Sequence, residues 1–536
     1  MRRRDWRSRS PVVRAALGTL ACVAAIAAEP RSLVAQGAPQ TPGKAVYDKW
    51  CAGCHGTTGA GDGPAAEYML PRPRDFTKGI YQIRTTASGE LPTDADLLRV
   101  VSDGMPGTAM PEWKSRLSER ERADVTAYLK SLSDFFKGAA PKPVAIGKAP
   151  SSSAASIADG HEAFKKLECF KCHGDQGRGD GKSAPTLKDD YGRPIRAADL
   201  SESWKFNGGS TVEEVYTRLR TGLDGTPMPS FSDAMESKVV TDEQLWHLAQ
   251  WVRSLSPEKV PEVREVIRAA RVTGALPRSP DDSTWATAER FWIPLVGQII
   301  TKPRWFAPTV DGVWVQALHD GKQLAVRVTW HDPSRSPDPE WDEWLGRMSK
   351  TMTAVDSIPL DSTQGPDRVT VQFPTRVTED AERPYFLGGD RKRPVYAWRW
   401  SSAPDQLQEG RMMGLGNYTP GAVNDVTHGA LFDHGEWRLQ LTRALVPRDT
   451  SATPTFAVGT AIPIAFAVAD GSSGEDAIRA SIGAWYAIYL DVPTPPRVYV
   501  APAVTILLTA GLGFFVVVAR AQRRERGNRR STQEES

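Results

Sequence analysis

Two short runs hold residue types that can do chemistry. "CAGCHGTTGAGDG" spans Cys51 to Gly63, and "CFKCHGDQGRGDG" spans Cys169 to Gly181. In each, two cysteines bracket two residues and a histidine follows at once: Cys51, Cys54 and His55, then Cys169, Cys172 and His173. Three chemistries use a CxxC pair. A structural zinc site needs four ligands, usually with a second Cys or His pair at short spacing, and neither run has one. A redox dithiol does not require the histidine. Covalent haem attachment requires all five positions. Two thiols add to the porphyrin vinyl groups, and the adjacent histidine is an axial iron ligand. The runs are therefore read as two sites for haem c.

The surroundings repeat as well. Cys51 and Cys169, Gly61 and Gly179, and Met110 and Met228 all share one offset of 118 residues. "GTAMPEW" (Gly107 to Trp113) matches "GTPMPSF" (Gly225 to Phe231), and each methionine lies 55 residues beyond its CxxCH histidine. A methionine so placed supplies the second axial ligand. His/Met ligation raises the reduction potential and leaves no open position for substrate. Met110 and Met228 are the expected distal ligands. Met105 is an alternative in the first copy, but it breaks the offset and lacks the "GT.MP" context. Met69 and Met235 are read as packing residues.

Helices must position these groups. Ser118 with Glu121, and Thr241 with Gln244, match capping boxes at two helix starts. Leu117, Val125 and Leu129, then Leu245, Leu248 and Val252, form apolar stripes at helical spacing. On the CxxCH and GT.MP residues, both segments resemble class I cytochrome c domains of bacterial dihaem cytochromes. The resemblance implies two small all-α domains, at 37–138 and 159–257. Glycines 59, 61 and 63, with 177, 179 and 181, are expected in a tight loop near each haem. A phosphate cradle is excluded there, because no strand precedes and no GK[ST] occurs.

A Pro-, Ala- and Ser-rich stretch at 139–158 reads as a linker. A charged connector is expected at 258–282. The region 283–493 changes character. Val313, Val315 and Ala317, then Leu324, Val326, Val328 and Trp330, alternate around an Asp320-Gly321 turn. Further strand-like runs follow, which predicts an antiparallel β-sandwich. The order of "LAVRVTWHDP", "DRVTVQFP", "RPYFLGGDRKRPVYAWRW", "WRLQLTRAL" and "IAFAVADGSSGE" with "SIGAW" resembles the gamma subunit of ethylbenzene dehydrogenase and related type II dimethylsulfoxide-reductase-family enzymes. That resemblance implies a haem b between a methionine and a lysine, facing an iron–sulfur subunit. Gly388-Gly389 stands where the family has methionine-glycine, and Ala480 beside Arg479 where it has lysine. The usual Met and Lys ligands are absent, and a haem b is left open. His319, His331, His428, His434, Met412 and Met413 are the other potential ligands in this region. The histidines are read as hydrogen-bonded or solvated side chains.

The two ends give an address. Six arginines precede an apolar stretch from Ala15 to Ala28, which reads as a secretory signal at 1–36. Near the other end, 22 residues from Val498 to Ala519 carry no charge, and six arginines follow by Arg530. This predicts one transmembrane helix at 498–519 and a cytoplasmic basic tail at 520–536. The body is then expected on the periplasmic side of the cytoplasmic membrane. Four of the five cysteines belong to the CxxCH runs, so no disulfide framework remains. A net charge of +3 in 536 residues gives no nucleic-acid footprint. No Ser/His/Asp, paired-carboxylate, flavin or molybdopterin grouping stands out.

The expectation is a multidomain, membrane-anchored relay and not an enzyme: two haem c groups passing electrons between a periplasmic oxidoreductase and the respiratory chain. The redox partner suggested by the third region is a molybdopterin enzyme with an iron–sulfur subunit. Alternatives are a cytochrome fused to a non-haem ligand- or sugar-binding β-domain, and a haem-based sensor or enzyme.

Overall fold

The computed structural model describes residues 41–352, 356, 358–377, 387–451, 453–492 and 497–534. The signal expected at 1–36 and the "RPYF" segment, Arg383 to Phe386, lie outside the described residues.

The first helical region contains α1 (Pro42–Trp50), the one-turn α2 (Ala52–His55), α3 (Asp94–Asp103) and α4 (Glu119–Ser131). The second repeats it with α5 (Ala154–Lys166), α6 (Phe170–His173), α7 (Val212–Thr221), α8 (Ser232–Glu236) and α9 (Asp242–Ser254). Both expected capping boxes form: Ser118 with Glu121 opens α4, and Thr241 with Gln244 opens α9. The predicted apolar stripes are buried on the inner faces. In each region the first long helix crosses the last at a glycine. A Cβ on Gly43 would strike Asp124 and Tyr128 of α4, and one on Gly160 would strike His247 and Leu248 of α9. Only glycine allows backbones that close.

Among the described residues, the third region is one sheet of fourteen strands: β1 (Val266–Arg271), β2 (Phe291–Pro294), β3 (Val296–Gly297), β4 (Gly312–His319), β5 (Gln323–His331), β6 (Arg368–Pro374), β7 (Val395–Ser402), β8 (Asp405–Met412), β9 (Tyr418–Pro420), β10 (Thr427–Asp433), β11 (Glu436–Ala444), β12 (Ala461–Ala469), β13 (Ser481–Ile482) and β14 (Tyr486–Leu490). Its main path runs β10-β11-β5-β4-β1-β14-β12-β6-β7-β8-β9. β4 and β5 form the expected hairpin, and Asp320 Oδ1 accepts bonds from Lys322 N and Gln323 N, both at 2.7 Å.

The purely antiparallel sandwich expected from the sequence is corrected to a mixed sheet. β1 lies inside the expected connector at 258–282 and pairs parallel with both β14 and β4. Its Ile267 and Ala269 are fully buried, while Val266 and Arg268 point outward. Parallel neighbours need a long connection, not a hairpin, so the pairing partners of β1 are remote in the chain. β12 belongs to two arms. Ala461 to Ile464 pair with β14, and Ala465 to Ala469 pair with β6. The sheet doubles over there and encloses a core shared by both arms, with the Trp400 and Trp437 rings 4.9 Å apart.

A helix inserted in this region, α10 (Asp342–Thr351), joins the three regions. Its Trp344, Leu345 and Met348 share a hydrophobic cluster with Ala184 of the second helical region and Tyr68 and Leu70 of the first. The last helix, α11 (Arg497–Glu534), is, among the described residues, the one long and apolar enough to cross a membrane. Its Leu507 and Phe514 are more than two-thirds exposed.

Candidate haem sites

Each CxxCH run occupies a turn capped by a left-handed glycine. Cys51 and Cys169 sit at the N-caps of α2 and α6, and Gly56 and Gly174 end these turns with φ of 77° and 73°. The glycine loop then folds back. A Cβ on Gly63 would lie 2.5 Å from Gly53 O, and Gly181 packs in the same way on Phe170 and Lys171.

The histidines are held in one tautomer. His55 Nδ1 is 3.0 Å from Arg74 O, and His173 Nδ1 is 2.9 Å from Ala198 O. A carbonyl only accepts, so Nδ1 carries the proton and Nε2 keeps its lone pair. Burial also lowers both imidazole pKa values, which favours the neutral, ligating form. The thiols are pushed the other way. Burial raises Cys51 to about 11 and Cys169 to about 12. A reactive dithiol is favoured by a depressed thiol pKa, the opposite of what burial does here. Among the described residues, no cluster of three metal-ligating groups includes either cysteine pair.

Each methionine meets its own CxxCH run in one cavity. A space of about 400 Å³ is lined by Cys51, Cys54, His55 and Met110. A second, of about 680 Å³, is lined by Cys169, Cys172, His173 and Met228. The methionine loops match in detail. Met110 N donates to Thr108 Oγ1 and Met228 N to Thr226 Oγ1, each at 3.2 Å. Met105 N donates to Met110 O as Leu223 N donates to Met228 O. Met105 therefore occupies the place of a leucine that cannot ligate iron. Largely apolar walls, a histidine with a free Nε2 and a thioether lining the same cavity are the donor set a haem c requires.

The two cavities are neighbours. Pro71, Gln82, Thr108, Ile195 and Thr226 line both. Each methionine loop reaches the other site: Gly225 lines the first cavity and Gly107 the second. Arg84 locks the two helical regions together. It is fully buried, donates to Thr221 O at 2.7 Å and pairs with Asp224 at 2.7 Å. Neither the shared wall nor this arginine carries a motif signal.

The β-region lines the second cavity with Trp292, Trp314, Trp330, His331 and Trp341. Ion pairs seal the joint. His331 pairs with Asp199 and lies 3.6 Å from Glu436, Lys205 pairs with Asp311, and Arg178 lies 3.5 Å from Glu436. Burial alone would lower the His331 pKa, but the Asp199 charge outweighs it and raises it well above 6.5. Burial alone would raise Glu436, but its His331 hydrogen bond and the Arg178 charge hold it at about 2. The raised His331 contributes stability that is full below pH 6.5 and lost as pH rises through its elevated pKa. Replacing His331 by glutamine should cost about 3 kcal/mol and flatten the alkaline side of a melting-temperature profile. An unchanged alkaline limb would contradict this role.

The residues at the family's haem b positions do not fit that group. Gly388 and Gly389 have φ of 79° and 65°, and a Cβ on Gly388 would lie 2.8 Å from Leu415 N. A methionine is not accommodated there. Ala480 is buried, and Arg479 donates to Pro359 O at 2.8 Å. The other candidates have structural partners. His319 bonds Asp491 O at 3.0 Å, His428 bonds Asp405 at 3.0 Å, and Met412 packs on Val395 and Ala397. His428 and His434 do not meet, because strand β10 separates them by roughly 20 Å at ~3.3 Å per residue.

Residues 40–133 and 157–256 match the family model for cytochrome c. A candidate respiratory nitrate reductase haem subunit, ORF7, of Haloferax mediterranei is 25% identical over 210 residues, or 39% of this chain and 67% of that protein. The CcoP subunit of the cbb3-type cytochrome c oxidase of Azospirillum sp. is 25% identical over 236 residues, 40% of this chain and 62% of that protein. The chain spans about two thirds of the length of these curated relatives. A chain of the Kuenenia stuttgartiensis reducing HAO-like protein complex Kustc0457/Kustc0458 is 45% identical and covers 41% of this chain and 97% of its own, with a TM-score of 0.38. Two regions of the chain, 40–133 and 157–256, are thus cytochrome c domains, each with a CxxCH turn and a methionine lining one cavity.

Proposed function

We propose that the chain carries two haem c groups and passes single electrons between them, linking a redox enzyme outside the cytoplasm to the respiratory chain. The observation that carries this reading is the wall shared by the two cavities, from Pro71 to Thr226. Cys51 and Cys54 would hold the first group covalently, with His55 and Met110 supplying its iron ligands. Cys169, Cys172, His173 and Met228 would do the same for the second. Bound there, each haem supplies a one-electron iron couple. The protein fixes the imidazole tautomers through the carbonyls of Arg74 and Ala198.

The first cavity, walled by the two helical regions without the β-region, is the port to a partner. The relatives named above belong to respiratory or redox complexes, which supports a redox enzyme as that partner. The family-like order of segments in the β-region points to a molybdopterin enzyme with an iron–sulfur subunit. Helix α11 serves as a single anchor in the cytoplasmic membrane, with the arginine-rich end inside.

A pyridine haemochrome assay on the detergent-extracted protein should count two c haems and no b haem per chain. One c haem would overturn the dihaem relay. A b signal would overturn the reading of Gly388 and Ala480.

A further inference from the structure

One end of the doubled sheet buries carboxylates that neither cavity uses. Asp332 follows β5, Asp367 precedes β6 and Asp470 follows β12, so three distant segments from both arms converge. All three side chains are fully buried. A carboxylate oxygen from each lies within 4.8 Å of the other two.

Fixed donors meet these groups unevenly. Asp367 accepts from Ser336 N at 2.8 Å, Trp437 Nε1 at 3.1 Å and Gly471 N at 3.1 Å. Asp470 accepts from Ser472 N at 2.9 Å, Ser472 Oγ at 2.7 Å and Ser473 Oγ at 2.6 Å. Asp332 Oδ1 accepts from Ser334 N at 3.2 Å. Its Oδ2 is buried and, among the described residues, has no hydrogen-bond partner. An unpaired carboxylate oxygen in the interior costs several kcal/mol unless something binds it.

Charge is unbalanced as well. Glu475 makes a fourth buried carboxylate beside the three. Among the described residues, no lysine, arginine or histidine forms an ion pair with any of the four. The guanidinium of Arg196, from the second helical region, interacts electrostatically with Asp470, Glu475 and Asp332, but its hydrogen bonds go to Thr309 Oγ1 at 2.7 Å and Ser473 Oγ at 3.0 Å. Such a cluster calls for a positive occupant.

We propose that Asp332, Asp367 and Asp470 bind one calcium ion. The donor set is all oxygen and anionic, which suits a hard cation and not a thiophilic or imidazole-seeking metal. Carboxylate oxygens that close together can share one ion held by bonds of ~2.4 Å. Asp332 Oδ2 gains its missing partner, and the mutual repulsion is neutralised. The ion pins both arms of the sheet at this end. It also steadies the second cavity, since His331 and Pro333 flank Asp332 and line that cavity. Ser473, which donates to Asp470, passes the link to Arg196 of the second helical region.

The test uses the full-length holoprotein in detergent. Elemental analysis after gel filtration in metal-free buffer should find one calcium per chain. A strong chelator should remove it and lower the melting temperature by several degrees. Added calcium, but not the same concentration of magnesium, should restore it. Asp332→Asn should abolish calcium retention while both haem c groups remain by haemochrome. Less than a tenth of an equivalent of calcium, with no thermal response to calcium or chelator in the wild-type protein, would overturn the site and leave the acids protonated. The wild-type measurement decides even if the variant folds poorly.

Discussion

Replacing Cys51 and Cys54 together by alanine should halve the covalently bound haem per chain and unfold the first helical region. The first effect follows from thioether chemistry, since a chain without these sulfurs cannot form the bonds. The second follows from magnitude. The cavity that Cys51, Cys54, His55 and Met110 line measures about 400 Å³. Left without an occupant, a dry cavity of that size costs up to roughly 10 kcal/mol at ~24 cal/mol per Å³. A whole domain is stable by only about 5–15 kcal/mol. Loss of the group and loss of the fold are therefore coupled. Haem staining after denaturing electrophoresis should fall to about half, and far-UV circular dichroism should lose helix in proportion to α1 to α4. The matching change at Cys169 and Cys172 leaves the first site stained but loosens the β-region joint as well, because Trp292, Trp330 and His331 wall that cavity. Full staining in either double variant would refute the attachment sites.

The second large effect is on reduction potential. Met228→Ala should lower the potential of one haem by roughly 0.1–0.2 V, a fraction of the ~0.8 V range that axial ligands command. A thioether favours the reduced iron; water or a stronger donor in its place favours the oxidised form. The thioether-to-iron absorption band should lose about half its amplitude. Met110→Ala should act in the same way on the other haem. Met105→Leu is the control, since it converts the first copy to the residue the second already has at Leu223. It should leave the band and both potentials in place. A Met105→Leu variant that lost the band would move the ligand to Met105. Because the cavities share walls, a potential shift at one site should also move the other slightly. Stepwise spectroelectrochemical titration resolves the two.

The candidate sites were legible in the sequence because their chemistry is local. Two cysteines and a histidine within five residues fall on one helical turn, as Cys51 to His55 and Cys169 to His173 do. The common offset of 118 carried Met110 and Met228 along with them. Helix starts were legible for the same reason: Ser118 and Glu121 need only three residues of chain to cap α4. The β4–β5 hairpin came from one dipeptide, Asp320-Gly321.

The remainder was decided in three dimensions. Strand β1 was hidden because "VIRAAR" has charges on its outward face, and its partners β14 and β4 lie far along the chain. The shared wall of the two cavities joins Pro71 and Gln82 to Ile195 and Thr226, which no periodicity connects. Gly388 could be seen in the sequence, but only its left-handed backbone and the nearby Leu415 show that a methionine cannot stand there. The convergence of Asp332, Asp367 and Asp470 likewise exists only once the sheet has doubled over. By itself the sequence determined what each turn can bind, because covalent attachment and capping act over a few residues. The tertiary structure decided which sites touch and what lines them, because pairing and burial join segments that no local pattern connects.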